Sequence, residues 1–126
     1  MKKMYKFCIP GVPYSHYKSD VNYNMLCRNY SENRIRYTVI LENQFANEPL
    51  ITEPINIKMN FYMPMVKIAR VAKITHLFMF INNIAIGKIY QKESLIHGLT
   101  LNKYYDKEPR IEITIKPHTL RSSKDG

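Results

Sequence analysis

Cysteine is scarce in this sequence, which has only Cys8 and Cys27 among its 126 residues. Two cysteines are too few for a disulfide framework, and they do not form a Cys-x-x-Cys pair. The histidines show no metal-ligand spacing, and the cysteines do not join them. Disulfide-stapled and zinc-stapled domains are thereby excluded. Cys8 lies in an apolar run, so we expect it to be a small core residue.

Long apolar stretches are also missing. None approaches the ~20 residues that a membrane-spanning helix needs. Met1 is followed by lysines and then by Pro10, which interrupts any signal-peptide core. We therefore expect a soluble, cytoplasmic protein with no membrane partner. The length predicts one domain over 1–117, followed by a polar tail over 118–126.

Acidic residues are few. Ten Asp and Glu face 19 Lys and Arg, and the net charge is +9. A positive field of this size favours polyanionic partners, of which nucleic acid is the commonest. Alternatively, the positive charge is that of an ordinary solvated surface. An A·T-rich genome encodes abundant Ile, Lys, Asn and Tyr, so the lysines need not reflect a binding function. The scarcity is sharpest between Pro54 and Lys92, where no Asp or Glu occurs.

The hydrophobic pattern predicts the order strand, helix, strand, helix, strand, strand, an α+β domain with its sheet packed against helices. The predicted elements cover 5–9, 31–47, 55–62, 75–86, 95–105 and 111–116. Gly87 is expected to end the second helix in a left-handed conformation, and Gly98 to mark a bulge. We expect the last two strands to form a hairpin around the turn at 106–109.

The second predicted helix is apolar on nearly all sides, with His76, Asn82 and Asn83 as its strongly polar exceptions. A helix of this kind is buried on several sides. One small sheet is not expected to cover them all, so the pattern predicts a homodimer with this helix at its interface.

Short sequence words in a set order resemble the RusA family of phage-type Holliday-junction resolvases. The words lie at 7–13 (FCIPGVP), 55–64, 87–96 and, closest of all, 103–113, which matches the family's closing hairpin. The resemblance implies the fold described above, a homodimer, and an origin in a phage or related mobile element, and therefore the cytoplasm of a bacterial host. It also implies a magnesium-dependent endonuclease that cuts four-way DNA junctions.

The chain departs from that family at the catalytic positions. The family holds Mg²⁺ with an Asp-x-Asp-Asn motif at the start of the second helix, a Lys one turn later, a further Asp, and an acidic pair beyond. Aligned through Gly87 and Ile96, the corresponding residues are Lys73, Thr75, His76, Met79, Asn83, Lys92 and Glu93. Because Glu93 is the one carboxylate among them, and hard dications require several oxygen ligands, the sequence predicts that the metal site is lost and that no cofactor is bound.

The sequence therefore favours a catalytically degenerate RusA-like protein that binds DNA, as junction or duplex, without cutting it. The residues expected to contact the partner are basic and are predicted to lie in loops: Lys18, Arg28, Lys67, Arg70 and Lys73. Tyrosines near the first two, including Tyr14 and Tyr30, can stack on bases or simply pack. Two alternatives stay open. One is an inhibitor of an acidic or nucleic-acid-binding host protein, such as a defence enzyme. The other is an active nuclease with a site rebuilt around Glu93.

Overall fold

A computed structural model of the chain describes residues 3–14, 23–64 and 72–119, without the side chains of 23–29. Within these ranges, four strands and two helices follow one another in the predicted order. They are β1 (Tyr5–Pro10), α1 (Tyr23–Gln44), β2 (Ile55–Met63), α2 (Ile74–Ala85), β3 (Ile96–Tyr105) and β4 (Arg110–Pro117). A short 3₁₀ turn, Glu93–Leu95, leads into β3. The α+β class is confirmed.

The sheet has the strand order β1-β4-β2-β3, so the predicted hairpin of the last two strands is wrong. The strand β3 runs parallel to β2, and α2 supplies the crossover that parallel neighbours require. The strand β4 instead pairs antiparallel with both β1 and β2. In this central position β4 hydrogen-bonds to a neighbouring strand on each of its two edges. In a hairpin with β3, the end strand, β4 would have a partner on one edge.

Alternation along the strands separates the two faces of the sheet. In β2, Ile55, Ile57, Met59, Phe61 and Met63 are buried, and the residues between them point to the other side. In β1 the inward residues are Phe7 and Ile9, so Cys8 points outward. Cys8 is exposed, and its predicted core position is wrong.

The helix α1 begins at Tyr23, well before the predicted start at Ser31. Local propensity did not indicate the additional turns. They are favoured by tertiary packing, since the ring of Tyr30 lies 5.7 Å from that of Phe80 in α2. The helix ends at Gln44, three residues before the predicted Asn47, whose φ of 67° turns the chain away. The side chain of Gln44 then pairs with Cys8, accepting from its N–H at 2.9 Å and donating to its C=O at 2.8 Å.

One chain buries almost all the apolar side chains of α2. Buried side chains of this helix are Leu77, Phe78, Phe80, Ile81, Ile84 and Ala85. Phe80 makes edge contacts with the rings of Tyr14, Tyr30 and Tyr37, at 4.8, 5.7 and 5.2 Å. The premise that these residues need a second chain is therefore wrong, because α1 and the segment around Tyr14 cover the side of α2 that the sheet leaves open. Tyr14 and Tyr30 pack against this core, as one of the two readings of these tyrosines expected.

Both glycine predictions agree with the structure. Gly87 follows α2 with a φ of 82°. At Gly98 the register of β2 against β3 shifts, and a Cβ there would collide with the side chain of Asn56. The residue His118, assigned to the tail, is held by the sheet, because its N–H donates to Pro54 O at 3.0 Å. Within the described residues, no helix is both long and apolar enough to cross a bilayer.

Candidate functional site

The outer side of α2 carries three of the positions that the resemblance to the RusA family predicts to match catalytic residues. Thr75, Met79 and Asn83 are exposed and follow one another at intervals of four residues, so they share one helical face. Lys73 precedes the helix and is exposed, and its side chain makes no capping hydrogen bond to the helix. His76 is half-buried beside this face. The structure thus places Thr75, Met79 and Asn83 on one exposed face of α2, with Lys73 at its start and His76 beside it.

The aligned carboxylate, Glu93, contacts Asn82 of α2, the neighbour of the aligned Asn83. Asn82 Nδ2 donates to Glu93 Oε1 at 3.2 Å, and Tyr90 Oη donates to Asn82 Oδ1. Asn82 is 4% exposed and Tyr90 is fully buried. Burial, and then the negative charge of Glu93, raise the pKa of Tyr90 well above its usual value of 10. The phenol therefore stays neutral and keeps donating its hydrogen bond.

Sequence reasoning missed the hydrogen bonds that run from Tyr90 through Asn82 to Glu93, although α2 contained a signal for the position of Asn82. Phe78 and Ala85 are buried, and position 82 lies on the same face, four residues after the first and three before the second. Helical periodicity therefore indicates that Asn82 points inward and Asn83 outward. Nothing in the local pattern indicated that Tyr90 would reach Asn82.

The donor set at the aligned positions does not fit a magnesium ion. Mg²⁺ requires near-octahedral oxygen coordination, supplied in proteins mainly by carboxylates and water. Here one carboxylate is present, that of Glu93, and Asn82 already donates to it. The exposed ammonium group of Lys73 adds like charge at the start of the helix. In the part of the chain that the structure describes, no group of three or more His, Cys, Asp and Glu side chains is placed to hold a metal.

Of the predicted partner-binding residues, only Lys73 can be placed with its side chain. Lys18, Lys67 and Arg70 lie outside the described residues. Arg28 belongs to α1, so its predicted place in a loop is wrong, and its side chain also lies outside the described residues. Lys103, which sequence reasoning did not select, lies close to Lys73: its ammonium donates to Ala72 O at 2.9 Å.

The outward side of the sheet forms a second candidate surface, here called the outer face. It consists of the residues that alternate with the buried ones, and within the described ranges neither helix covers it. By register they are Met4, Lys6, Cys8 and Pro10 in and before β1, Arg110, Glu112, Thr114 and Lys116 in β4, Asn56, Lys58, Asn60 and Tyr62 in β2, and Gly98, Thr100, Asn102 and Tyr104 in β3. Four of them are cations and one, Glu112, is a carboxylate.

At one end of the outer face three side chains stack across three strands, forming what we call the tyrosine row. The guanidinium of Arg110 lies 3.9 Å from the ring centroid of Tyr62. The rings of Tyr62 and Tyr104 stack at 5.3 Å with 26° between their planes. Arg110 Nε donates to Glu112 Oε2 at 3.0 Å, and this hydrogen bond to Glu112 is the main cause of the raised pKa of Arg110. The row is therefore fixed at its Arg110 end.

Lysines occupy the other half of the outer face, in what we call the lysine cluster: Lys6, Lys58 and Lys116. All three are exposed. Lys6 and Lys58 flank Thr114 from the two neighbouring strands, which places their backbones about two strand spacings, ~10 Å, apart. A depression of about 350 Å³ lies beside Lys58 and Lys116. Between the lysine cluster and the tyrosine row, Asn102 Nδ2 donates to Asn60 Oδ1 at 3.1 Å.

At the edge of this depression the structure joins two histidines that are distant in sequence. His97 and His118 stack with ring centroids 5.2 Å apart. His118 Nδ1 lies 2.6 Å from Asn56 Oδ1, a hydrogen-bonding distance. This contact links His118, the residue after β4, to Asn56 of β2, which lines the depression.

A scan against protein-family models finds no match to this chain, and a search of curated proteins finds no similar sequence. The relation to the RusA family therefore stays a prediction that rests on the order and spacing of short sequence words.

Proposed function

We propose that this protein binds DNA, as duplex or four-way junction, without cutting it, and that it is a catalytically degenerate relative of the RusA resolvases from a phage or mobile element. The observation that carries the proposal is the outer face, where Arg110 and the lysine cluster outnumber the single carboxylate Glu112. Cations on an uncovered, polar sheet attract the phosphate backbone and release counterions from it.

The polar character of the outer face supports the same conclusion. Its remaining residues are largely Asn, Thr and Tyr, which donate to phosphate and sugar oxygens as well as to base edges. Lys73 at the start of α2, with Lys103 close by, provides a further cationic contact beyond the sheet.

The absence of cutting is proposed from the chemistry of the aligned site. In-line phosphoryl chemistry with Mg²⁺ requires carboxylates that converge on the metal. Glu93 is the one carboxylate at these positions, and its hydrogen bond from Asn82 occupies Oε1. A nuclease rebuilt around Glu93 would have to break that contact and recruit further acids.

Binding assays with labelled duplex and four-way junction at low salt test this function. We expect affinity for both, with log affinity falling linearly with log salt. No measurable affinity at low salt would overturn the proposal and favour the inhibitor hypothesis. In that case, pull-down from producing cells should recover a protein partner equally well with and without nuclease treatment.

A further inference from the structure

The tyrosine row ends in an aromatic ring that is only partly covered. Arg110 and Tyr104 cover the two faces of the Tyr62 ring. Tyr104 belongs to β3, the end strand of the sheet, and keeps 45% of its surface exposed. The face of the Tyr104 ring that is turned away from Tyr62 is therefore the position at which a further ring can extend the stack.

The side chains of the tyrosine row are held in place before any ligand binds, so that another flat ring can stack on Tyr104. Arg110 is held by Glu112 and by Asp106, whose Oδ2 lies 3.3 Å from Arg110 Nη1. Partial burial, and then the hydrogen bond to Glu112, raise the pKa of Tyr62. Because these side chains are already ordered, a ligand that stacks on Tyr104 has little side-chain entropy to remove.

The lysine cluster lies along the same surface and suits the backbone of that ligand. Tyr62 follows Lys58 by four positions in β2, which corresponds to ~13 Å along the strand. A short segment of nucleic acid can therefore place a base at Tyr104 and its phosphates near Lys58 and Lys6. The amides of Asn60 and Asn102 lie between the two ends.

We propose that the outer face binds unpaired nucleotides, with a base stacked on Tyr104 and the backbone tracked by the lysine cluster. This inference rests on the proposed DNA-binding function and specifies the part of the nucleic acid that the surface recognises. A stacking contact needs an exposed base face, and inside a duplex neighbouring base pairs cover that face. Aromatic rings beside a cationic groove are the usual means by which proteins hold single strands.

Fluorescence anisotropy with a labelled oligothymidine and with a blunt duplex of equal length tests this inference. We expect the parent protein to bind the oligothymidine and Tyr104→Ala to weaken this binding by on the order of tenfold, the usual loss of one base–aromatic stack. Tyr104→Phe should retain the affinity, because the ring is kept. Lys58→Ala should make the salt dependence shallower by about 0.7, the slope for one phosphate of a single strand.

The neighbouring Tyr105 provides the matched control. It is 60% exposed, and by alternation it points to the other side of the sheet. Tyr105→Ala should leave the affinity unchanged, and thermal melting should show that all variants fold. Equal losses in the two alanine variants, or no loss in Tyr104→Ala, would overturn the inference. A parent that binds duplex but not oligothymidine would overturn the inference alone, and a parent that binds neither would overturn the proposed function as well.

Discussion

Asn82 links the buried phenol of Tyr90 to the carboxylate of Glu93, donating to Glu93 Oε1 at 3.2 Å while it accepts from Tyr90 Oη. In the RusA alignment Glu93 is the last acidic position of a metal site. In this protein the side chain of Glu93 links the 3₁₀ turn after α2 to the helix through its hydrogen bond with Asn82. The contact gives the Glu93 carboxylate a structural role that requires no metal.

The role of Asn82 predicts a loss of stability on truncation. Asn82→Ala leaves Tyr90 Oη buried without its acceptor, which costs about 1–3 kcal/mol of the free energy of unfolding. Asn83→Ala is the matched control, because Asn83 is the exposed neighbour and surface changes usually stay within about 0.5 kcal/mol. Urea denaturation of both variants measures the difference. Equal stabilities would show that the contact with Tyr90 contributes nothing.

Burial of Tyr90 predicts a stability that declines in alkali. Its folded pKa is raised above the unfolded value of 10, so its contribution is complete below pH 10 and is lost as the pH rises toward the folded pKa. Tyr37, whose pKa burial also raises, acts in the same direction. Tyr90→Phe should therefore show a shallower decline of unfolding free energy than the parent from about pH 9 to about pH 11. Identical slopes would contradict this assignment.

The position of Lys73 predicts a salt effect on DNA binding. If its exposed ammonium contacts a phosphate, Lys73→Ala should weaken binding to all duplex sequences alike and make the log–log salt slope shallower by about one. Lys88→Ala is the control, since Lys88 is equally exposed but follows the other end of α2. Lys73→Asp with Thr75→Asp should weaken binding further and should not restore cutting. A slope unchanged by Lys73→Ala would remove this residue from the DNA footprint.

The homodimer stays a prediction, and the structure changes where its interface is expected. A partner has to cover apolar side chains that one chain leaves exposed, and among the described side chains of α1 these are Ile35 and Val39, 66% and 49% exposed. We expect light scattering at tens of micromolar, roughly the range in which obligate dimers persist, to give twice the chain mass of 15.0 kDa. Ile35→Lys with Val39→Lys should return one chain mass. A monomeric parent would contradict the homodimer.

Elements with strong periodicity could be predicted from the sequence, and pairings between distant segments could not. The alternation from Ile55 to Phe61 placed β2, and the stop at Gly87 placed the end of α2. The position of β4 between β1 and β2 depends on pairing with strands that are distant in sequence. The short turn between β3 and β4 does not indicate that pairing. Sequence patterns alone therefore favoured a local hairpin.

The candidate site could likewise be predicted only in part. Alignment placed Glu93 and the face of α2, but the outer face is assembled by register, as when Tyr62 meets both Arg110 and Tyr104. These residues come from three strands, so no window of the sequence shows them together. The pairing of Glu93 with Asn82 also spans two elements. Sequence reasoning accordingly selected basic loops and missed the sheet.

Incubation of the purified protein with a labelled four-way DNA junction, with Mg²⁺ or Mn²⁺ at low salt, tests the central claim most directly. One gel resolves bound from free junction, and a denaturing gel of the same samples resolves cut from intact strands. The account predicts a bound junction whose strands stay intact with either metal. Cleavage well above a no-protein control, and abolished by Glu93→Gln, would contradict it.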